Sequence, residues 1–156
     1  MTDDASDPSD DGPPSVRPVI GGRHEARERA VHLLYEMAMK GRTADEVLSG
    51  QVVAADRYTA TLVTGVDDHS DELDAIIGRL AKGGWSLERM PTMDVLVLRT
   101  ACYELAHRPD VPTGAILSEA VELAGRYGTD DSSRFVNGLL ASAAAELRPD
   151  ETPPAA

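Results

Sequence analysis

"MDVLVLRTACYELA", residues 93–106, decides the fold. Ten of its 14 residues are apolar, and only Asp94, Arg99, Thr100 and Glu104 interrupt them. Wound at helical pitch, the apolar side chains spread over most of the circumference rather than along one stripe. A helix that is apolar nearly all round belongs in the interior. Pro91 stands just upstream, where its missing N–H is one that a helix start leaves unpaired anyway. The stretch therefore predicts a central, buried helix, and such a helix needs amphipathic partners to enclose it.

The flanking sequence supplies those partners. Upstream, a helix is expected from about Gly22, with Ala26, Ala30, Leu33, Leu34 and Met37 as its stripe and Gly41 as its end. "TADEVLSG" reads as a short second helix: Thr43 and Glu46 fit a capping box, and Gly50 is a natural stop. From about Ala54 to Lys82, Leu62, Val66, His69, Leu73, Ile76 or Ile77, and Leu80 recur every three or four residues. That spacing predicts one long amphipathic helix, bent near Gly65 and terminated by Gly83-Gly84. "WSLERMP" adds a helical turn capped by Ser86. Downstream, "RPDVPTG" is a rigid connection, "AILSEAVELAGRY" an amphipathic helix stopped by Gly128, and Ser132–Leu147 a last helix with Asp131 as its N-cap. Val136, Leu139, Leu140, Ala143 and Leu147 form that helix's inner face. No segment alternates as a strand does, so the fold class is all-α: a bundle of about six to seven helices.

Composition agrees with one domain. The chain has 156 residues, 42% of them apolar, but only 4% aromatic, so its core is aliphatic. Residues 1–20 and 149–156 are acidic and Pro-rich at their outer ends and are expected to be disordered tails around a domain of residues 21–148. Cys102, the single cysteine, excludes an internal disulfide and reads as a buried small hydrophobe. No stretch approaches the length of a membrane span and there is no signal-peptide pattern, so a cytoplasmic protein is expected. The formal net charge is -12. Yet between Arg17 and Arg42 six basic residues face only three glutamates, a local reversal more informative than the total.

The chemistry points away from catalysis. No Gly-rich loop follows a strand, and nothing supplies a nucleophile with a base and an orienting partner. His24, His32, His69 and His107 are scattered at no metal-ligand spacing, so neither a metal nor a cofactor is expected. His69, on an apolar stripe, reads as a hydrogen-bonded core or rim residue. The basic segment offers more. Arg23 and Arg27 are four residues apart on one face of the first turns of a helix, where backbone amides already favour anions. Taken alone, "RHEARER" is equally an ordinary charged helix start, in which Arg29 pairs with Glu25. Phe135, the only phenylalanine, lies one turn into the last helix. It suits either a core position or a rim position from which its ring stacks on an unpaired base.

Three stretches together resemble the NusB family. "GGRHEARERAVHLLYEM" is similar to its basic N-terminal motif, "VLVLRTACYEL" to its central helix, and "DVPTGAILSEAVELAGRYGTDDSSRFVNGLL" to its longest signature. The match runs from about Arg23 to Leu147 in the right order. The resemblance implies two packed three-helix subdomains. It implies a factor that, with NusE, binds the single-stranded boxA element of nascent RNA and, with other Nus factors, modifies RNA polymerase for read-through of ribosomal RNA operons. It places Arg23, His24, Arg27, Asp131 and Phe135 on RNA, and Tyr35, Glu88 and Asp94 against NusE. Two other readings stand beside it: an accessory subunit of an RNA-modifying enzyme, since NusB-like domains front rRNA cytosine methyltransferases, and a helical adaptor that binds only protein. Monomer and homodimer are both compatible with the sequence.

Overall fold

A computed structural model describes residues 19–81, 83 and 86–151. Among them are seven α-helices and no strand: α1 (Val19–Lys40), α2 (Ala44–Ser49), α3 (Arg57–Asp68), α4 (Ser70–Leu80), α5 (Thr92–His107), α6 (Thr113–Tyr127) and α7 (Ser132–Leu147). A 3-10 turn, Leu87–Arg89, precedes α5. Of the expected tails, residues 1–18 and 152–156 lie outside the described residues; α1 begins at Val19, inside the stretch read as tail, and residues 149–151 follow α7, with the Thr113 hydroxyl donating to Glu151 at 2.8 Å.

The stretch 93–106 is the axis of the molecule. Within α5, residues 94–98 and 100–105 are buried, and the helix packs against α1, α3, α4, α6 and α7. Helices α1–α3 pack on one another as one group and α5–α7 as the other, with α4 lying against α5 and α7. Each outer helix turns its stripe inward: Ala26, Ala30, Leu33 and Leu34 from α1, Leu62 and Val66 from α3, Leu73, Ile76 and Ile77 from α4, and Val136, Leu139, Leu140 and Ala143 from α7 are all buried. Burying such side chains stabilises a fold by roughly 1.5–3 kcal/mol each, which is how a chain so poor in aromatics builds a core. Cys102 is fully buried, and burial pushes its thiol pKa up to about 12, which leaves it inert.

Local signals hold at most boundaries. The Thr43–Glu46 capping box forms in both directions. Gly41 ends α1 with φ 64°, and its N–H reaches the Met37 carbonyl. Several expectations need correction, among them the Ser86 cap, whose side chain makes no capping bond. The helix expected over 54–82 is two helices, broken at His69, whose backbone leaves helical geometry (φ −113°, ψ 21°). The His69 ring folds back so that Nδ1 lies 2.9 Å from the Gly65 carbonyl, the same oxygen its own N–H uses. Ser70-Asp71-Glu72 then opens α4 with two acids in its first turn, where they complement the amide ends. Gly65 is no bend: a side chain there would meet the Tyr103 ring at 2.2 Å, so it is a contact point between α3 and α5. At α7, Asp131 occupies the cap position, but its side chain makes no capping bond. Ser132 performs the local closure instead, its Oγ accepting the Thr129 N–H at 2.8 Å.

Candidate functional site

The basic start of α1 is tied into the bundle. Arg27 is only 4% exposed. Its Nε and Nη2 donate to both carboxylate oxygens of Glu104 on α5 at 2.9–3.1 Å, and the Tyr58 hydroxyl donates to the same carboxylate at 2.5 Å. Burial of a carboxylate is tolerable only with such partners, so Arg27 is a structural cation here and does not face solvent. Arg23, one turn earlier, keeps part of its surface in water. Its guanidinium lies 4.0 Å over the Tyr58 ring and 3.7 Å from Asp110. Its Nη1 is buried with no hydrogen-bond partner. His24 sets Nδ1 2.6 Å from Glu119 on α6, and that hydrogen bond raises its pKa above the ordinary histidine value. Arg29 does not pair with Glu25. It reaches across to the Val53 and Ala54 carbonyls and so fastens the α2–α3 connection to α1.

The other predicted residues converge elsewhere. Asp94, Asp131 and Phe135 line one cavity of about 530 Å³ between the end of α4, the start of α5 and the first turns of α7. Leu80, Ala81, Pro91 and Leu139 give it apolar walls, and Thr129, Ser142 and Arg134 add polar groups. Phe135 is half-buried and backs onto the core while lining this groove, so both readings of it contain part of the truth. Asp131 and Arg134 are exposed on its rim, their charged groups 3.9 Å apart. Asp94 is 2% exposed, and its Oδ1 has no hydrogen-bond partner. Burial raises its pKa above the usual carboxylate range, against the opposing effect of a Ser132 hydrogen bond. A buried carboxylate oxygen without a donor carries a desolvation cost that no contact within the fold offsets.

Arg23 and His24 are not brought into this groove. Their partners are Tyr58, Asp110 and Glu119, none of which lines it. Further along α1, Glu28 accepts from Arg126 and from the Tyr127 hydroxyl at the end of α6, and the His32 ring meets Tyr127 edge-on at 4.8 Å. The Tyr127 hydroxyl, first among these contacts, holds the Glu28 carboxyl below its ordinary pKa. From Glu119 to Tyr127, α6 advances about 12 Å at 1.5 Å per residue, and neither residue lines the groove. Tyr35 is 41% exposed on α1, and Glu88 is exposed on the 3-10 turn just before Pro91. Arg134 was not singled out in the sequence, although its position three residues after Asp131 puts both on one helix face.

The likeness to known proteins fits this architecture. The model of the NusB family matches residues 24–145. Over 127 residues the chain is 46% identical to a transcription antitermination protein NusB of Saccharopolyspora erythraea, covering 78% of this chain and 85% of that protein. Among solved structures, T. maritima NusB superposes with a TM-score of 0.75 at 29% identity, over 83% of this chain and 95% of that one. A crystal structure of antitermination factors NusB and NusE in complex with dsRNA gives a TM-score of 0.69 at 24% identity, over 80% of this chain and 96% of that one, a likeness of fold. With the central buried helix, the two helical groups and a family match that spans most of its length, this chain belongs to the NusB family.

Proposed function

We propose that this chain is a non-enzymatic transcription antitermination factor of the cytoplasm. It binds the single-stranded boxA element of nascent ribosomal RNA transcripts together with NusE and, through other Nus factors, keeps RNA polymerase processive. The groove carries this reading: an aromatic ring, an exposed carboxylate and an exposed cation meet at one apolar cleft. An unpaired base needs a π-face to stack on and an acceptor for its N–H groups, and a backbone phosphate needs a cation. In this scheme Phe135 supplies the stack and Asp131 a rim acceptor. Arg134 and Arg23 meet phosphate, with His24 beside them. Arg27 positions α1 rather than touching RNA. Tyr35 and Glu88, both exposed, face NusE, while the buried Asp94 supports that surface from beneath rather than touching the partner.

The test is a gel shift of boxA RNA with and without NusE. Phe135→Leu keeps an apolar contact with the core but loses the flat ring, and Phe135→Ala loses both. Both should weaken RNA binding about tenfold, within the about 1–3 kcal/mol that one base–aromatic stack contributes. Unchanged binding by a folded Phe135→Leu protein would overturn the assignment of that ring. RNA-independent NusE binding alone would indicate an adaptor, and donor-dependent RNA methylation an enzyme subunit.

A further inference from the structure

Two of the histidines that are scattered in sequence, His69 and His107, meet in the fold. His69 sits at the junction of α3 and α4, Glu72 in the first turn of α4, and His107 is the last residue of α5. One ligand atom from each lies within 4.8 Å of the other two. His107 Nε2 is 3.0 Å from Glu72 Oε1, and the two imidazole rings are 4.1 Å apart. We propose that His69, Glu72 and His107 bind a divalent transition-metal ion of the zinc class, fastening the α3–α4 junction to the end of α5.

Three features support an ion here. The first is the donor set. Two imidazoles and one carboxylate suit Zn²⁺, whereas Mg²⁺ and Ca²⁺ call for oxygen ligands. Ligands about 2.1 Å from a tetrahedral ion stand about 3.4 Å apart, so small side-chain rotations close the present spacing into a coordination shell. The second is ring orientation. The Gly65 carbonyl accepts from His69 Nδ1, which leaves the Nε2 lone pair for a metal. Such an outer hydrogen bond is what fixes a ligating imidazole's tautomer. The third is support from behind. The Tyr103 ring stacks on His107 at 5.3 Å and lies 5.7 Å from His69. Tyr103 reaches that position because Gly65 has no side chain to block it. The two rings are thus packed in place before an ion arrives. Three protein ligands leave a fourth position open to water or to a partner's side chain.

A second group of metal-ligand type, His24, Glu119 and Glu122, lacks these features. Arg27 Nη1 lies 3.7 Å from Glu119 and already supplies the cation there.

The experiment uses the full chain, stripped with chelator and titrated with Co²⁺ and then Zn²⁺. Expected are the visible bands of tetrahedral Co²⁺ saturating at one ion per chain, their loss on adding Zn²⁺, and a Tm raised by about 5–10 °C in about 100-fold excess over the dissociation constant. His107→Gln and Glu72→Gln should each weaken binding by more than the about 10–100-fold that loss of an outer-shell partner costs. His24→Gln should leave it unchanged. Two results would overturn the site: no saturable binding together with an unshifted Tm, or wild-type binding by a folded His107→Gln protein.

Discussion

The guanidinium of Arg27 donates three hydrogen bonds to Glu104, while that of Arg23, one turn earlier, lies over the Tyr58 ring and partly in water. These two arginines look alike in the sequence because both fall on one face of a charged helix start. Their difference depends on Glu104, which is remote in sequence and whose choice between the two arginines no local spacing marks. Removing one member of a buried pair strands the other. Arg27→Ala should therefore destabilise the fold by about 3–5 kcal/mol, read from urea unfolding. Arg23→Ala should cost no more than about 1 kcal/mol and instead reduce RNA affinity. Equal effects of the two on stability would contradict this division. Asp94 gives a prediction with a pH signature. Burial raises its folded pKa, so the folded state binds the proton more tightly than the unfolded chain does. Its contribution is most favourable below the unfolded carboxylate pKa of about 3.9 and is lost as pH rises through the higher folded value. At neutral pH the charged, under-bonded carboxylate is a cost. Asp94→Asn should raise Tm at about pH 7, with the gain shrinking towards about pH 4. A gain that is constant across that range would mean that the side chain is not titrating.

Periodicity placed the helices because burial of one stripe is what each of them is for. The α5 sequence had to be central, and Ala26, Leu62, Leu73 and Val136 had to face it. Periodicity could not place the break at His69. Two helices that bury consecutive stripes in the same core keep the same spacing across a junction, so only Ser70-Asp71-Glu72, a start signal inside an apparently continuous pattern, marks it. Gly65 was misread for a related reason. A glycine in a helix has the same local signature whether it bends the chain or clears space for a neighbour, and the neighbour, Tyr103, lies on another helix. Gly65→Ala tests which role it has. If Gly65 were only a flexible point, alanine would stabilise α3 through higher helix propensity. Because the added carbon meets the Tyr103 ring, the variant should instead lose about 1–3 kcal/mol, the usual cost of overpacking. A higher urea midpoint would refute the contact.

The site was legible in part for the same reason that the fold was. Asp131 and Phe135 are close in sequence, and their helix start announces itself, but the groove they line is completed by Leu80, Pro91 and Asp94 from two other helices. Charge works at the scale of the whole molecule. The net charge is -12, and most cations of α1 are engaged: Arg27 by Glu104, His24 by Glu119, and Arg29 by backbone carbonyls. Phosphate contacts dominate RNA affinity and appear as salt dependence, with a slope of about −0.7 per phosphate on a single strand. With Arg23 and Arg134 as the phosphate contacts of the proposed site, log K for boxA RNA against log salt should have a shallow slope of about −1 to −2 for this chain alone. A basic partner on the acidic surface would add phosphate contacts while gaining complementary charge itself. With NusE present, the affinity should rise at least about tenfold and the slope should steepen, because each added contact releases further counterions. Binding that is tight and equally salt-dependent without NusE would show that this chain carries cationic RNA contacts beyond these two arginines, and would refute a shared RNA site.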